Sequence, residues 1–393
     1  MAMAEVGATP GGGNNRPALS DLDAQGRELL ISWARQAGCT PRVDAIGNLF
    51  LRRPGTADRS PILIGSHLDT QPTGGRFDGV YGVLGGLEIL TTFAEGRIEH
   101  ERPIDLAVWT NEEGARFERS MMGSAVWSTA LDLDAARALV DQDGTSVGEE
   151  LDRLGWSSGP MDTERPAAAF ELHIEQGPIL ERQGQDIGVV TGVLGIRQLA
   201  VQLTGEAAHA GPTPMVGRRD PVRGLVQIAA AIFETCEQMG EHARATLTSL
   251  SSSPLSRNTV QETSGFVADI RHEDPLRLDD FEGLVRRAID RASAELRLDS
   301  AITVVNESRA VTFDERLVSI VREAAECLGL RHQDMVSGAG HDSCYVSRVT
   351  PTAMIFVPCA GGISHNEAES MSEEAARNGA DVLLQAALQA ATS

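Results

Sequence analysis

The sequence has no apolar run of the length needed to cross a bilayer, and its first residues lack the basic stretch followed by an apolar one that marks a secretory leader. The chain therefore reads as soluble and cytoplasmic, with no membrane partner. Cysteine is scarce: Cys39, Cys236, Cys327, Cys344 and Cys359 are odd in number and form no C-x-x-C pair. That argues against a disulfide framework and for free thiols in a reducing compartment. Positive charge is short as well, with 34 Lys and Arg against 56 Asp and Glu and a net charge of -22. Such a surface repels polyanions, which argues against nucleic acid as a partner. An anionic substrate must find a local cluster of cationic groups.

What is there is ordinary for a globular protein: 41% hydrophobic and 23% charged residues over 393 positions, enough for two domains. Residues 1–16, MAMAEVGATPGGGNNR, are rich in Gly, Pro and Asn and predict a mobile segment. A helix is expected from Ser20, with Asp21 and Asp23 in its first turn, to about Gly38. Strand-like runs at PILIG, Ile104 to Thr110, Ala167 to Ile174 and Thr352 to Cys359 alternate with helical stretches. That is the rhythm of an α/β domain whose central sheet is mostly parallel and flanked by helices. Between them come a strand, a helix opened by Asp220-Pro221, two strands, a second helix and a last strand. This β-α-β-β-α-β order is ferredoxin-like. Residues 195–309 are accordingly read as an inserted α+β domain, dividing the α/β domain into 1–194 and 310–393. Trp109, Trp127 and Trp156 read as core.

In an open α/β sheet, ligands collect beyond the carboxyl ends of the strands. Each apolar run here ends in metal-ligand residue types: His67, Asp69 and Asp78 after PILIG, Glu112 and Glu113 after IDLAVWT, His173 and Glu175 after AAAFEL, and His365, Glu367 and Glu369 after TAMIFVPC. Imidazole and carboxylate without thiolate suit Zn²⁺, and equally Mn²⁺, Co²⁺ or Ni²⁺. The set overfills a single ion, so two ions sharing a bridging carboxylate are the economical reading. The glycines of TGGRFDGVYG let the backbone pass close by before it turns into a helix after Val80. Of two adjacent acids at a strand end, one can bind metal while its neighbour takes a proton from water and returns it to a departing nitrogen.

The motifs GSHLDTQPTGGRFDG, TNEEGARF, ELHIEQGPILE, GEAAHAGPTPM, VADIR, GAGHDS and SHNEAE, in this order over most of the chain, resemble the hydantoinase/carbamoylase branch of the metallopeptidase-like amidases. That branch includes N-carbamoyl-L-amino-acid amidohydrolases, β-ureidopropionases and allantoate amidohydrolases. The resemblance implies His67 and His173 as ligands of one ion, Glu113 and His365 of the other, and Asp78 as the bridge. It implies Glu112 as general base and Asp69 as the carboxylate that fixes the tautomer of His67. It further implies an inserted domain that serves as lid and dimerisation surface, with His209 reaching from the partner of a homodimer to the developing oxyanion. Arg271 would fork onto the substrate carboxylate and Asn258 would assist it. Gln176, Gln198 and His341 would line the pocket. The sequence departs from the family after Asn258, where Thr259-Val260-Gln261-Glu262 stands in place of a turn with Pro-Gly.

Each assignment has a plainer rival. Arg271 could pair with Asp269 or Glu273, and His209 could cap a turn. Glu175, Glu367 and Glu369 read as solvated acids or as supports beside ligands. Three functions remain: a two-metal amidohydrolase for an N-carbamoyl amino acid or related ureido acid; a dipeptidase or acylamino-acid deacylase; and a binding protein that keeps the fold without the chemistry.

Overall fold

The computed structural model describes residues 2–157 and 159–392. It divides into two units, residues 1–191 with 312–393, and residues 192–311. No helix among the described residues is long and apolar enough to cross a membrane.

The first unit is built on a nine-stranded sheet. Its strands lie in the order Thr40–Val43, Leu49–Arg53, Ile104–Trp109, Ile62–His67, Ala168–Ile174, Thr352–Val357, Ile187–Val193 and Val311–Thr312, with His332–Ser337 also paired to Ile187–Val193. The four central strands run parallel, and antiparallel pairings begin on either side of them. Every residue of those four strands is buried, because helices such as Val80–Glu95 and Glu373–Thr392 pack against them. That is why they read as unbroken apolar runs rather than alternating ones. Parallel strands also share a direction, so their carboxyl ends deliver their loops to one edge of the sheet. Trp109, Trp127 and Trp156 are core residues at 2%, 1% and 8% exposure.

The helix predicted from Ser20 spans Asp21–Gln36, with the Ser20 hydroxyl accepting from Asp23 N at 3.2 Å. The mobility predicted for residues 1–16 is corrected by the structure. Ala2–Glu5 is a helical turn, and Met3, Asn14 and Arg16 are each 1% exposed. Local composition promised no core, but the segment takes its partners from distant residues: Asn14 and Gly74 exchange backbone hydrogen bonds, and Arg16 reaches Leu68.

The second unit is a four-stranded antiparallel sheet in the order Asp299–Ser308, Gly195–Thr204, Thr263–His272, Arg244–Ser253. Helices Pro221–Met239 and Pro275–Leu296 cover the sheet face that carries Leu199, Val201, Phe266 and Ile270. Asp220 and Asp274 cap them, each followed by proline at the first helical position. The unit is slightly wider than 195–309.

Candidate functional site

The sheet register brings the first two histidines together. Ile64 pairs with Phe170 across parallel strands, and His67 and His173 stand three residues further along each. The pleat therefore points both rings to one side, with centroids 6.0 Å apart. Beyond Trp109, which pairs with His67, the chain turns at Asn111, whose φ is 55°. Asn111 Nδ2 holds that turn by donating to Phe117 O and Arg119 O at 3.2 and 2.9 Å. Gly79, at φ 66°, caps the helix that follows Asp78. A Cβ there would overlap the His67 ring, so glycine is required for the helix to start this close to the imidazole.

Asp78 is the centre of the cluster. Its Oδ1 lies 3.1 Å from His173 Nε2 and 3.7 Å from His67 Nε2. Its Oδ2 lies 3.4 Å from His365 Nε2, and that nitrogen is 3.3 Å from Glu113 Oε2. The structure thus gathers the five residues read as ligands into two groups, His67-Asp78-His173 and Asp78-Glu113-His365, sharing one carboxylate. The Nδ1 atoms of His67 and His173 each meet a main-chain carbonyl at 2.9 Å, of Asp69 and Ile174 respectively. Each Nε2 is thereby left to face Asp78.

Asp69 needs a correction. Its carboxylate does not bond the His67 ring, since Oδ1 stands 3.9 Å from Nδ1; its own carbonyl does that work. The carboxylate instead accepts from Glu112 N and Glu113 N at 3.2 and 3.1 Å. It fixes the backbone from which those two side chains diverge. Glu112 Oε2 approaches His67 Nε2 at 3.5 Å, whereas Glu113 turns to His365 and accepts from Gln71 Nε2 at 2.8 Å.

The cluster has little of its charge answered. The chain contains no lysine, and among the described residues the ion-pair partners of Asp78, Glu112 and Glu113 are histidines alone. Burial, then the charges of Asp342 and Glu113, push the Glu112 carboxyl well above the usual range. Burial and Asp78 push Glu113 up to about 8. Burial drops His67 to about 4. Burial is also the largest single influence on His173 and lowers it, but the hydrogen bond to Asp78, the charges of Asp78 and Glu171 and the Ile174 carbonyl together outweigh it and lift His173 to about 9. The Asp78 hydrogen bond likewise raises His365 to about 9. Crowded acids with imidazole nitrogens turned toward them and no thiolate fit hard or borderline divalent cations, which would answer the excess negative charge.

Of the two roles the sequence left open for Glu175, Glu367 and Glu369, the structure shows the supporting one, and Glu171 escaped the sequence reading altogether. Glu369, 1% exposed, accepts from Phe77 N and Asp78 N at 2.9 and 3.1 Å and from Ser364 Oγ at 2.9 Å. It is no solvated acid but the brace between the loops of Asp78 and His365. Glu175 accepts from Ile179 N and Leu180 N, and Glu367 from the Thr9 hydroxyl. Glu171 ties Ser66, beside His67, to Ser343, accepting at 3.0 Å from one and at 2.6 and 3.1 Å from the other. An acid inside the apolar run AAAFEL, two residues before His173, was the available signal.

Gln176, at φ 58°, donates to Asp78 Oδ2 at 2.8 Å. His341 is buried at 2% exposure with its ring edge-on to His173 at 4.6 Å, and its Nε2 meets Ser337 Oγ at 3.0 Å. It packs against the His173 ring and is shielded from solvent. In the second unit, Arg271 forks onto Asp269 at 2.8 and 2.9 Å, and Gln198 Nε2 donates to the same carboxylate at 2.8 Å. The rival pairing is therefore present. Exposed His209 lies in a two-residue strand paired to Thr259–Val260, and Ala210 N donates to Asn258 O at 2.8 Å, so His209 and Asn258 are neighbours.

A profile of peptidase family M20/M25/M40 matches residues 63–389. An N-carbamoyl-L-amino-acid amidohydrolase of Rhizobium meliloti is 44% identical over all of this chain and 94% of its own length. The allantoate amidohydrolase of Escherichia coli strain K12 is 32% identical over 93% of this chain and 90% of its own. The crystal structure of an amidase of the hydantoinase/carbamoylase family from Burkholderia multivorans aligns with a TM-score of 0.98 at 46% identity, covering 100% of this chain and 96% of that one.

Proposed function

Because the chain belongs to peptidase family M20/M25/M40, we propose that it hydrolyses the carbamoyl C–N bond of an N-carbamoyl amino acid or related ureido acid, giving the amino acid, carbon dioxide and ammonia. The observation that carries this reading is the shared carboxylate: Asp78 offers one oxygen to His67 and His173 and the other to His365, whose Nε2 also meets Glu113. Two divalent cations, Zn²⁺ or Mn²⁺ with Co²⁺ and Ni²⁺ as substitutes, would be held there. When bound they polarise a carbonyl and acidify water.

The chain's own residues divide the remaining work. Glu112, buried and facing His67 rather than the second group, accepts the proton of the attacking water at Oε2 and passes it to the leaving nitrogen. The Asp69 carboxylate keeps Glu112 and Glu113 pointing apart by holding both backbone N–H groups. Gln176 and Ser364 hold Asp78 Oδ2 at 2.8 and 2.9 Å. In the second unit Arg271, oriented by Asp269, is assigned to the substrate carboxylate with Asn258 and Gln198 beside it. His209 of the partner subunit is assigned to the oxyanion of a cytoplasmic homodimer.

Metal-stripped protein reloaded with Mn²⁺ or Zn²⁺ and offered N-carbamoyl-L-amino acids, N-carbamoyl-β-alanine, allantoate, dipeptides and N-acetyl amino acids tests the reading. Ammonia should appear from a ureido substrate and no cleavage from the peptides. Turnover of dipeptides with no ammonia from any ureido acid would replace the proposal with a peptidase.

A further inference from the structure

Residues 2–16 have no part in the chemistry above, yet they touch both loops that supply it. Thr9 Oγ1 donates to Glu367, two residues beyond His365, and accepts from Gly13 N at 3.1 Å. Asn14 exchanges backbone hydrogen bonds of 2.9 and 3.0 Å with Gly74, four residues before Asp78. Arg16 donates its N–H to Thr70 Oγ1 at 2.9 Å and accepts from Thr70 N at 3.0 Å. Its guanidinium donates to Leu68 O at 2.7 Å, on the residue between His67 and Asp69, and to Val6 O at 2.7 Å. A guanidinium leaves water only where its donors are met, so this buried anchor marks a built contact. Gly13 is wedged between the two loops: a Cβ there would collide with Gly74 O and lie 2.8 Å from Glu367 Cα.

The Asp78-Glu113-His365 group draws Asp78 from one of these loops and His365 from the other. His365 is half exposed and at φ 51°, so its place depends on what holds its loop. We propose that residues 9–16 form a positioning strap that sets the spacing between loop 68–78 and loop 364–369, and with it the fit of Asp78, Glu113 and His365 around a divalent cation. The inference rests on the two-ion reading of the site.

Calorimetric titration of the metal-stripped full chain with Mn²⁺ tests it. Thr9→Val removes the hydroxyl at similar volume, Gly13→Ala drives a methyl between the loops, and Thr9→Ser restores the donor. Outer contacts of this kind change metal affinity by about 10-fold or more. The weaker of two Mn²⁺ sites should lose about that in Thr9→Val and Gly13→Ala with the tighter site unchanged, and in Thr9→Val, which adds no clash, the melting temperature of the metal-free protein should also be unchanged. Thr9→Ser should return the original affinity. Unaltered binding in both variants overturns the strap, as does an equal loss at both sites together with a lowered melting temperature in Thr9→Val. Fewer than two ions on the unmutated chain would instead overturn the two-ion reading itself.

Discussion

The two groups that meet at Asp78 are built differently. His67 and His173 project from central strands, with side chains 2% and 1% exposed and each Nδ1 held by a main-chain carbonyl. His365 hangs from a loop at positive φ with its side chain 52% exposed. Side chains on hydrogen-bonded strands are preorganised, whereas one on a loop must be held by its neighbours, here Glu369, Ser364 and the segment that reaches Glu367. Two ions at this site should therefore be bound unequally, the strand-borne one more tightly.

Asp78→Ala should abolish the comparison, because it strips both groups at once. Neither ion should survive gel filtration, and turnover should fall to background; an ion still present by elemental analysis would show that one group needs no bridge. Glu112→Gln should leave both ions in place while kcat falls about 1,000-fold, as expected for loss of the group that moves the proton. A loss within about tenfold would place the base elsewhere. His365→Ala should reduce the bound metal from two ions to about one per chain, whereas His173→Ala should disturb both through Asp78. Equal effects of the two substitutions would erase the distinction between strand and loop.

What was legible in the sequence follows the same division. The central strands announce themselves as apolar runs, and polar residues at their ends have nowhere to go but the loops at the sheet edge. The motif around Asp69 pointed to the right residue but the wrong group, because spacing cannot distinguish a residue's main-chain carbonyl from its side-chain carboxylate three bonds away. The distant partners of the supports were the illegible part. Glu369 is buried because Phe77 and Asp78, nearly three hundred residues earlier, supply its donors. Arg16 is buried in a Gly- and Pro-rich segment because Leu68 and Thr70 meet it. Local pattern records a residue's own preference, and both of these are placed by partners that no local pattern contains.

The smallest expected effect is on stability, and it separates the groups by pH. In the metal-free protein His173 and His365 are raised to about 9 from the ordinary 6.5, chiefly through Asp78, though burial opposes the rise. Their contribution to stability is complete below pH 6.5 and is lost as pH rises through about 9. Glu113, raised by burial and Asp78 from 4.5 to about 8, acts in the same direction, because the folded chain keeps a proton that the unfolded chain has released. His67, lowered by burial from 6.5 to about 4, has the opposite sign, but its window closes below pH 6.5. The share of exposed His365 is reduced by solvent screening, so buried His173 and Glu113 should dominate. With a chelator present, the melting temperature should thus fall between about pH 6.5 and 9. A divalent cation takes the deprotonated ligands, so the rise in melting temperature on adding Mn²⁺ should grow across the same range. Scanning calorimetry with EDTA and with Mn²⁺ measures both, and a chelated protein that holds or gains stability over that window would mean these groups do not carry the protons assigned to them.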